Sequence, residues 1–509
     1  MALQKEKPIR LTADLAQNLQ AIQKNVGQYS DFIYREILIH QKQKAVVIYL
    51  DGMTNKDAIG EFIIKPLLLH PDTLSPEKKL EDIAASLLFI PNIKAATTVE
   101  DFLSTIYSGD CGLLVDGFAT GIVTDIKGFA LRGISEPSTE IVVRGSREGF
   151  VENMKTNMTL LRRRIKTKDL AFENLTIGTE TGTNLCLAYI RGLASPELIQ
   201  EVKKRLQAIK IDGVLESGYL EQLLEDNPFS PFATIANSEK PDKVAAKLLE
   251  GRIAIITDGT PFVLTAPMLF LENFQSAEDY YSRPYFASMI RCLRFLAFLI
   301  GVFAPAVYVA IVLYHHEVIP YKLMLNMWQA EYHTPFNSGL SVLLITILYE
   351  IVREAGIRLP RPVGAAISII GGLVIGDMVV SAGLISAPVV IIVAFTAIAM
   401  FVVDAMTDAA TLLRIGFLLL AWFFGFFGIM IGILVLLVHL STIESFGVPY
   451  FSPFAPFQRT EMRDSLFRAP LWLLGRRPTF SVGSKWRQRE VIPPNTPEKN
   501  KPLVEPRNQ

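Results

Sequence analysis

Cysteine is scarce in this chain: 509 residues hold only Cys111, Cys186 and Cys292, an odd number with no CxxC pair. That excludes a disulfide framework and a CxxC zinc site, and leaves ordinary, mostly buried thiols. An excess of one charge is missing too, since 50 Lys and Arg balance 50 Asp and Glu. A neutral balance gives no reason to expect a nucleic-acid partner. The opening "MALQKEKPIRLTADLAQNL" lacks the apolar core of a signal peptide, so the residues up to about 285 are expected to stay in the cytoplasm. No GxxxxGK[ST] loop occurs, and no Ser or Cys stands in a nucleophile elbow. An enzyme therefore has no catalytic constellation here, and nothing calls for a cofactor.

What is present is divided sharply. Charges run throughout the chain to Tyr285, apolar blocks dominate from Ile290 to Leu440, and a basic tail follows. In the first part, short β-branched runs end in Asp-Gly: "AVVIYLDG" (45–52), "CGLLVDG" (111–117) and "RIAIITDG" (252–259). Two of them continue into a second run, the pattern of a hairpin whose turn tolerates positive φ. Helical patterns such as "PELIQEVKKRLQAIK" (196–210) lie between the strands. The likeness around Asp116 and Asp258 hints at two α/β subdomains, with a boundary near 150–170, but two unrelated hairpins would give the same pattern. Catalytic carboxylates are the sharper reading of these Asp-Gly pairs; turn chemistry is the favoured one. The basic "RGSREGFVENMKTNMTLLRRRIK" (144–166) could hold a phosphate, but reads better as an interface.

A helical span needs about 20 mostly apolar residues. Five blocks approach or exceed that: 295–314, 338–352, 363–383, 386–403 and 411–440. The expected architecture is a soluble α/β N-terminal region of two subdomains followed by an α-helical transmembrane domain. Its expected boundaries are 1–30 for an extension, 31–160 and 161–285 for the subdomains, and 286–445 for the membrane domain. Residues 446–509 form a basic cytoplasmic tail, disordered from about 490. Lys and Arg near the spans set orientation. Arg283, Arg291 and Arg294 precede the first block, Arg353, Arg358 and Arg361 follow the second, and Arg476, Arg477, Lys485, Arg487 and Arg489 follow the last. All three groups are expected to face the cytoplasm. The turn around Arg353, Arg358 and Arg361 sets topology and could serve subunit contact, with Pro360 and Pro362 stopping the helix.

Cytoplasmic ends need an even number of crossings, and five blocks are odd. Either one block does not cross fully, or the last is two passes broken near Gly425–Gly428. The expectation adopted is four full spans plus one partial element. Acids inside apolar blocks are costly and often mark an ion path. Glu350, Asp377, Asp404 and Asp408 qualify, although Asp404 and Asp408 also suit headgroup depth. Asp377 is the deepest. With Gly371, Gly372 and Gly376 beside it, it is the first candidate for a permeation path, and Asp404 and Asp408 are the second. For the glycines themselves, close helix packing is the favoured reading over room beside a pore. His315, His316, Glu317 and His333 lack metal spacing and read as an outward polar loop.

Six strings, in order, carry a family resemblance: "RGSREGFVENMKTNMTLLRRRIK", "YYSRPYFASMIRCLRFLAFLI", "HHEVIP", "EIVREAGIRLPRPVG", "GVPYFSPFAPF" and "FRAPLWLLGRRP", spanning 144–478. With them the chain resembles the A subunits of spore germinant receptors, the GerA family. The resemblance implies an inner-spore-membrane subunit acting with a transporter-like B subunit and a lipoprotein C subunit. It also implies homo-oligomers of the A subunit forming or gating an ion channel that nutrients open, and a cytoplasmic region of two α/β subdomains. The second histidine of "YHHEVIP" and the Pro-rich 493–506 tail depart from the usual pattern. A secondary transporter binding its own substrate is the alternative. Such proteins show two similar membrane halves, and none is visible here.

Overall fold

The computed structural model describes residues 9–26, 30–70, 74, 79–90, 92–126, 128, 136–137, 139–140, 142–358, 372, 374–459 and 461–481. Two compact units emerge. The first comprises 1–228, 235–268 and 475–509, and the second comprises 229–234 and 269–474.

The first unit holds two five-stranded antiparallel sheets. One is built from β1 (Phe32–Ile39), β2 (Gln43–Leu50), β3 (Ile93–Ala96), β4 (Cys111–Val115) and β5 (Gly121–Thr124), in the order β1-β2-β4-β5-β3. The other uses β6 (Leu170–Ile177), β7 (Thr183–Ile190), β8 (Ala236–Ser238), β9 (Ile253–Thr257) and β10 (Val263–Ala266), in the order β6-β7-β9-β10-β8. The two topologies are identical. The central strands β4 and β9 are buried along their whole length, as near-continuous apolar runs require.

The repeat extends to single hydrogen bonds. Helix α1 (Leu15–Val26) precedes the first sheet, and α2 (Met154–Arg164) precedes the second. The Asp116 carboxylate accepts from the Leu15 amide at 3.3 Å, and that of Asp258 from the Met154 amide at 3.0 Å. Each aspartate thereby satisfies an otherwise orphaned donor in the first turn of a helix. Asn18 Oδ1 accepts from the Thr12 amide, and Asn157 Oδ1 from the Val151 amide, at 2.8 and 2.9 Å. The Asp-Gly pairs are therefore turn and capping chemistry. Those at Asp116 and Asp258 sit in five-residue loops rather than two-residue turns, each with its glycine, Gly117 or Gly259, at positive φ.

Helix α2, in the basic 144–166 stretch, packs Met154, Met158, Leu160 and Leu161 into the core of the second sheet. That core thus begins before residue 161. Arg162 is 1% exposed and ties the sheets together. It reaches Asp31 Oδ2 at 2.5 Å, donates to the Leu170 carbonyl at 2.9 Å, and lies over the Phe172 and Tyr107 rings. Cys111 and Cys186 are buried; burial pushes the Cys111 thiol up to about 12. Residues 475–481 also join this unit, where the Arg477 side chain donates to the Leu249 carbonyl and Phe480 lies under Arg252.

The second unit is a helical bundle: α3 (Pro284–Tyr314), α4 (Tyr321–Tyr332), α5 (Ser338–Arg358), α6 (Ala387–Met400) and α7 (Thr407–Thr442). Among the described residues, α3 and α7 are long and apolar enough to cross a membrane. Helix α6, with 14 residues, is a shorter apolar helix. Residues 363–371 and 373 of the 363–383 block, Pro360, Pro362, Arg361 and the tail beyond 481 lie outside the described residues.

The last apolar block, which the sequence left as one pass or two, doubles back on itself. Gly425 has φ 60 and ψ −141, inside what otherwise runs as one helix. A Cβ on Gly428 would lie 2.2 Å from the Leu420 carbonyl oxygen, and one on Gly432 would lie 2.5 Å from the Phe417 ring. In a straight helix residues 417 and 432 would stand about 22 Å apart at 1.5 Å per residue. The outgoing limb runs parallel to α3, with Arg414 at Gly301, Phe417 against Phe303 and Trp422 at Tyr314. The return limb ends at His439, which contacts Ser230 and Phe232. Residues 446–474, expected as tail, fold against this base: the Tyr450 ring packs on Phe232 and Phe270.

Candidate functional site

The bundle core is apolar where Tyr308, Val309, Val342, Ile345, Val389, Val393 and Leu418 meet. One face of α5 continues that contact surface through Ser338, Ser341, Val342, Ile345 and Thr346, the 3–4 residue spacing of a buried helical stripe. Glu350 is the next residue on the same stripe. Its side chain is 19% exposed and meets the Arg414 guanidinium at 3.3 Å. Arg414 is 2% exposed. Its Nε donates to the Gly301 carbonyl of α3 at 3.0 Å. Arg353, one turn beyond, closes on the other Glu350 oxygen at 2.7 Å.

Three helices thus converge on one ion cluster. A buried charge without a partner is costly, by about 3–5 kcal/mol, so mutual pairing is what admits these groups to the bundle interior. Gly301 also admits α6 at close range, since a Cβ there would lie 2.2 Å from the Met400 sulfur. Arg414 carries no role in the sequence reading. A single arginine four residues into an apolar run was the available signal.

A second cluster closes the base of the unit. Arg291, fully buried, bonds Asp279 Oδ2 at 2.9 Å and Asp464 Oδ1 at 2.8 Å. Arg294 shares Asp279 at 2.9 Å, and Arg468 donates to the Ser282 carbonyl at 3.0 Å. The arginines read as topology signals therefore also clamp the segment after the last helix onto the start of α3.

The other candidates fall as follows. Asp377 is exposed, in a π-helical turn over Val374–Met378. Gly372 and Gly376 have open space where a Cβ would go, and Gly371 lies outside the described residues. Asp408 is exposed at the start of α7, and Asp404 opens a 3-10 turn before it. Arg358 pairs with Glu354 at 2.5 Å on the surface. Among the described residues, Arg358, Asp377 and Asp408 form no ion pair with the Glu350 cluster, whose pairs are with Arg353 and Arg414. His315 packs on Phe426, and among the described residues no group of His, Cys, Asp and Glu is placed to hold a metal ion.

The model of the Bacillus/Clostridium GerA spore germination protein family matches residues 20–480. The chain belongs to the GerA family. Spore germination protein KA of Bacillus subtilis is 43% identical over 95% of this chain and 90% of its own length. An uncharacterised membrane protein of the same organism, YfkQ, is 40% identical over 97% of this chain and 96% of its own length. Spore germination protein GerLA of Bacillus cereus is 35% identical over 93% of this chain and 97% of its own. A crystal structure of the N-terminal domain of the A subunit of the Bacillus megaterium germinant receptor GerK3 matches at 36% identity, with a TM-score of 0.42. It covers 52% of this chain and 99% of that one. This GerA-family chain is thus a germination protein with apolar helices fit for a membrane. Its two α/β sheets followed by a helix-rich part are the architecture expected from the sequence.

Proposed function

We propose that this chain is the A subunit of a nutrient-sensing germinant receptor in the inner spore membrane. In this reading it acts with a transporter-like B subunit and a lipoprotein C subunit, and copies of it assemble to form or gate an ion-conducting pore. Asp377, with Gly371, Gly372 and Gly376, is the assigned permeation segment, and Asp404 and Asp408 are the second choice.

The observation that carries the reading is the Glu350–Arg414 pair inside apolar helices. Ionisable groups among apolar helices commonly mark an ion path, which favours a conducting or gating part over a plain anchor. The reversal at Gly425 adds support: a last block of two limbs is one of the two ways to reach an even number of crossings. Both chain ends can then face the cytoplasm, as the arginine clusters require. Deleting this chain from spores that carry no other receptor tests the assignment. Loss of nutrient-triggered germination, with germination by agents that bypass receptors retained, is expected. Undiminished nutrient response would overturn it.

A further inference from the structure

The helix α4 and the short turn His316–Val318 before it connect α3 to α5, and no residue of α4 is buried. Its exposed residues include Tyr321 at 69%, Trp328 at 72% and Tyr332 at 82%. These stand at i, i+7 and i+11, so they fall within about 40° of one another at 3.6 residues per turn. With only half-buried Leu325 beside them, these Tyr and Trp side chains make a face unusual for one turned to water. Both side chains combine an apolar body with a polar tip and concentrate at membrane–water interfaces.

The orientation of the stripe is fixed. Glu331, on the adjoining face of α4, accepts from the Tyr308 hydroxyl at 3.1 Å and from Ser338 Oγ at 2.6 Å. Met327, one turn earlier on that side, packs against the bundle core. These contacts hold the aromatic face away from the protein. The helix also lies at the end of the bundle where α3 finishes and α5 begins, directly beyond their apolar surfaces.

We infer that α4 is an interfacial helix, its Tyr321–Trp328–Tyr332 face seated in the lipid headgroup layer at the end of the bundle remote from Arg291. The occupant is the bilayer itself, and Glu331 is the pin that sets the helix rotation. A helix of this kind buries its apolar side about 5–10 Å into the headgroup boundary. The inference rests on the membrane reading of the bundle.

The test uses the full chain in vesicles, with Trp328→Phe as reference so that the difference emission reports Trp328 alone. That emission is expected to be blue-shifted. It should lose more intensity to lipids brominated near the headgroup end of the acyl chain than to lipids brominated at its tip, and little to aqueous iodide. Glu331→Gln should weaken this lipid quenching. Quenching by iodide without quenching by brominated lipid would overturn the inference. So would shielding from both that appears only when the other receptor subunits are present, which would make the face a protein interface. If no tryptophan responds to brominated lipid, including Trp422 within the bundle, the membrane reading itself has failed.

Discussion

Glu350 of α5 and Arg414 of α7 meet at 3.3 Å inside the helical bundle, 64 residues apart in sequence. Removing one partner of a buried pair leaves an uncompensated charge, at a cost of about 3–5 kcal/mol. Arg414→Met and Glu350→Met are each expected to lower receptor abundance and melting temperature in detergent. The double substitution should cost clearly less than the two single losses added. Additive losses would show that the two residues do not interact.

The helical reversal at Gly425 gives a geometric test. Cysteines placed at Phe417 and Gly432 should cross-link readily with a short thiol reagent, because the limbs are in contact. A continuous helix would hold them about 22 Å apart and prevent it. Gly425→Ala should lower stability by roughly 1–3 kcal/mol, since its φ and ψ suit glycine alone. A protein level and melting point equal to wild type would contradict the reversal.

Arg162 joins the two sheets through Asp31, the Leu170 carbonyl and two aromatic rings. Arg162→Ala is expected to destabilise the α/β region by about 3–5 kcal/mol. Arg162→Lys should recover little, because an ammonium cannot reach Asp31 and the Leu170 carbonyl together and lie flat on the rings. Limited proteolysis between the sheets, near residues 165–169, would report the loss. Unchanged cleavage would deny the lock.

Burial pushes the Glu221 carboxyl from 4.5 up to about 7, with Glu225 adding and a hydrogen bond from Asn237 opposing. Both folded and unfolded chains hold this proton below about pH 4.5, and only the folded chain holds it towards 7. Its contribution is therefore full at low pH and lost as pH rises through about 7. The loss is on the order of 2 kcal/mol after allowance for partial exposure. Glu221→Gln should flatten that part of the stability curve measured by thermal unfolding. An unaltered pH slope would place the titration elsewhere.

The sheets were legible because "CGLLVDG" and "RIAIITDG" couple β-branched runs to turn residues, a local signal that needs no tertiary knowledge. The repeat below them was not, since "TADLAQN" (12–18) and "VENMKTN" (151–157) share little beyond the final asparagine. What they conserve is a hydrogen-bond pattern to Asp116 and Asp258. Glu350 stood out as an acid within an apolar block. Arg414 did not, because its partner lies 64 residues away and only packing of α3, α5 and α7 brings them together. The α4 stripe was hidden inside a region read as a polar loop, where "HHE" drew attention away from "YKLMLNMWQAEY".

Potassium release from spores whose only receptor contains this chain, before and after Asp377→Asn, bears most directly on the proposed pore. Immunoblotting fixes equal receptor levels. The account expects nutrient-triggered release to change in rate or ion selectivity. Release indistinguishable from wild type at equal receptor level would contradict it and remove Asp377 from the permeation path.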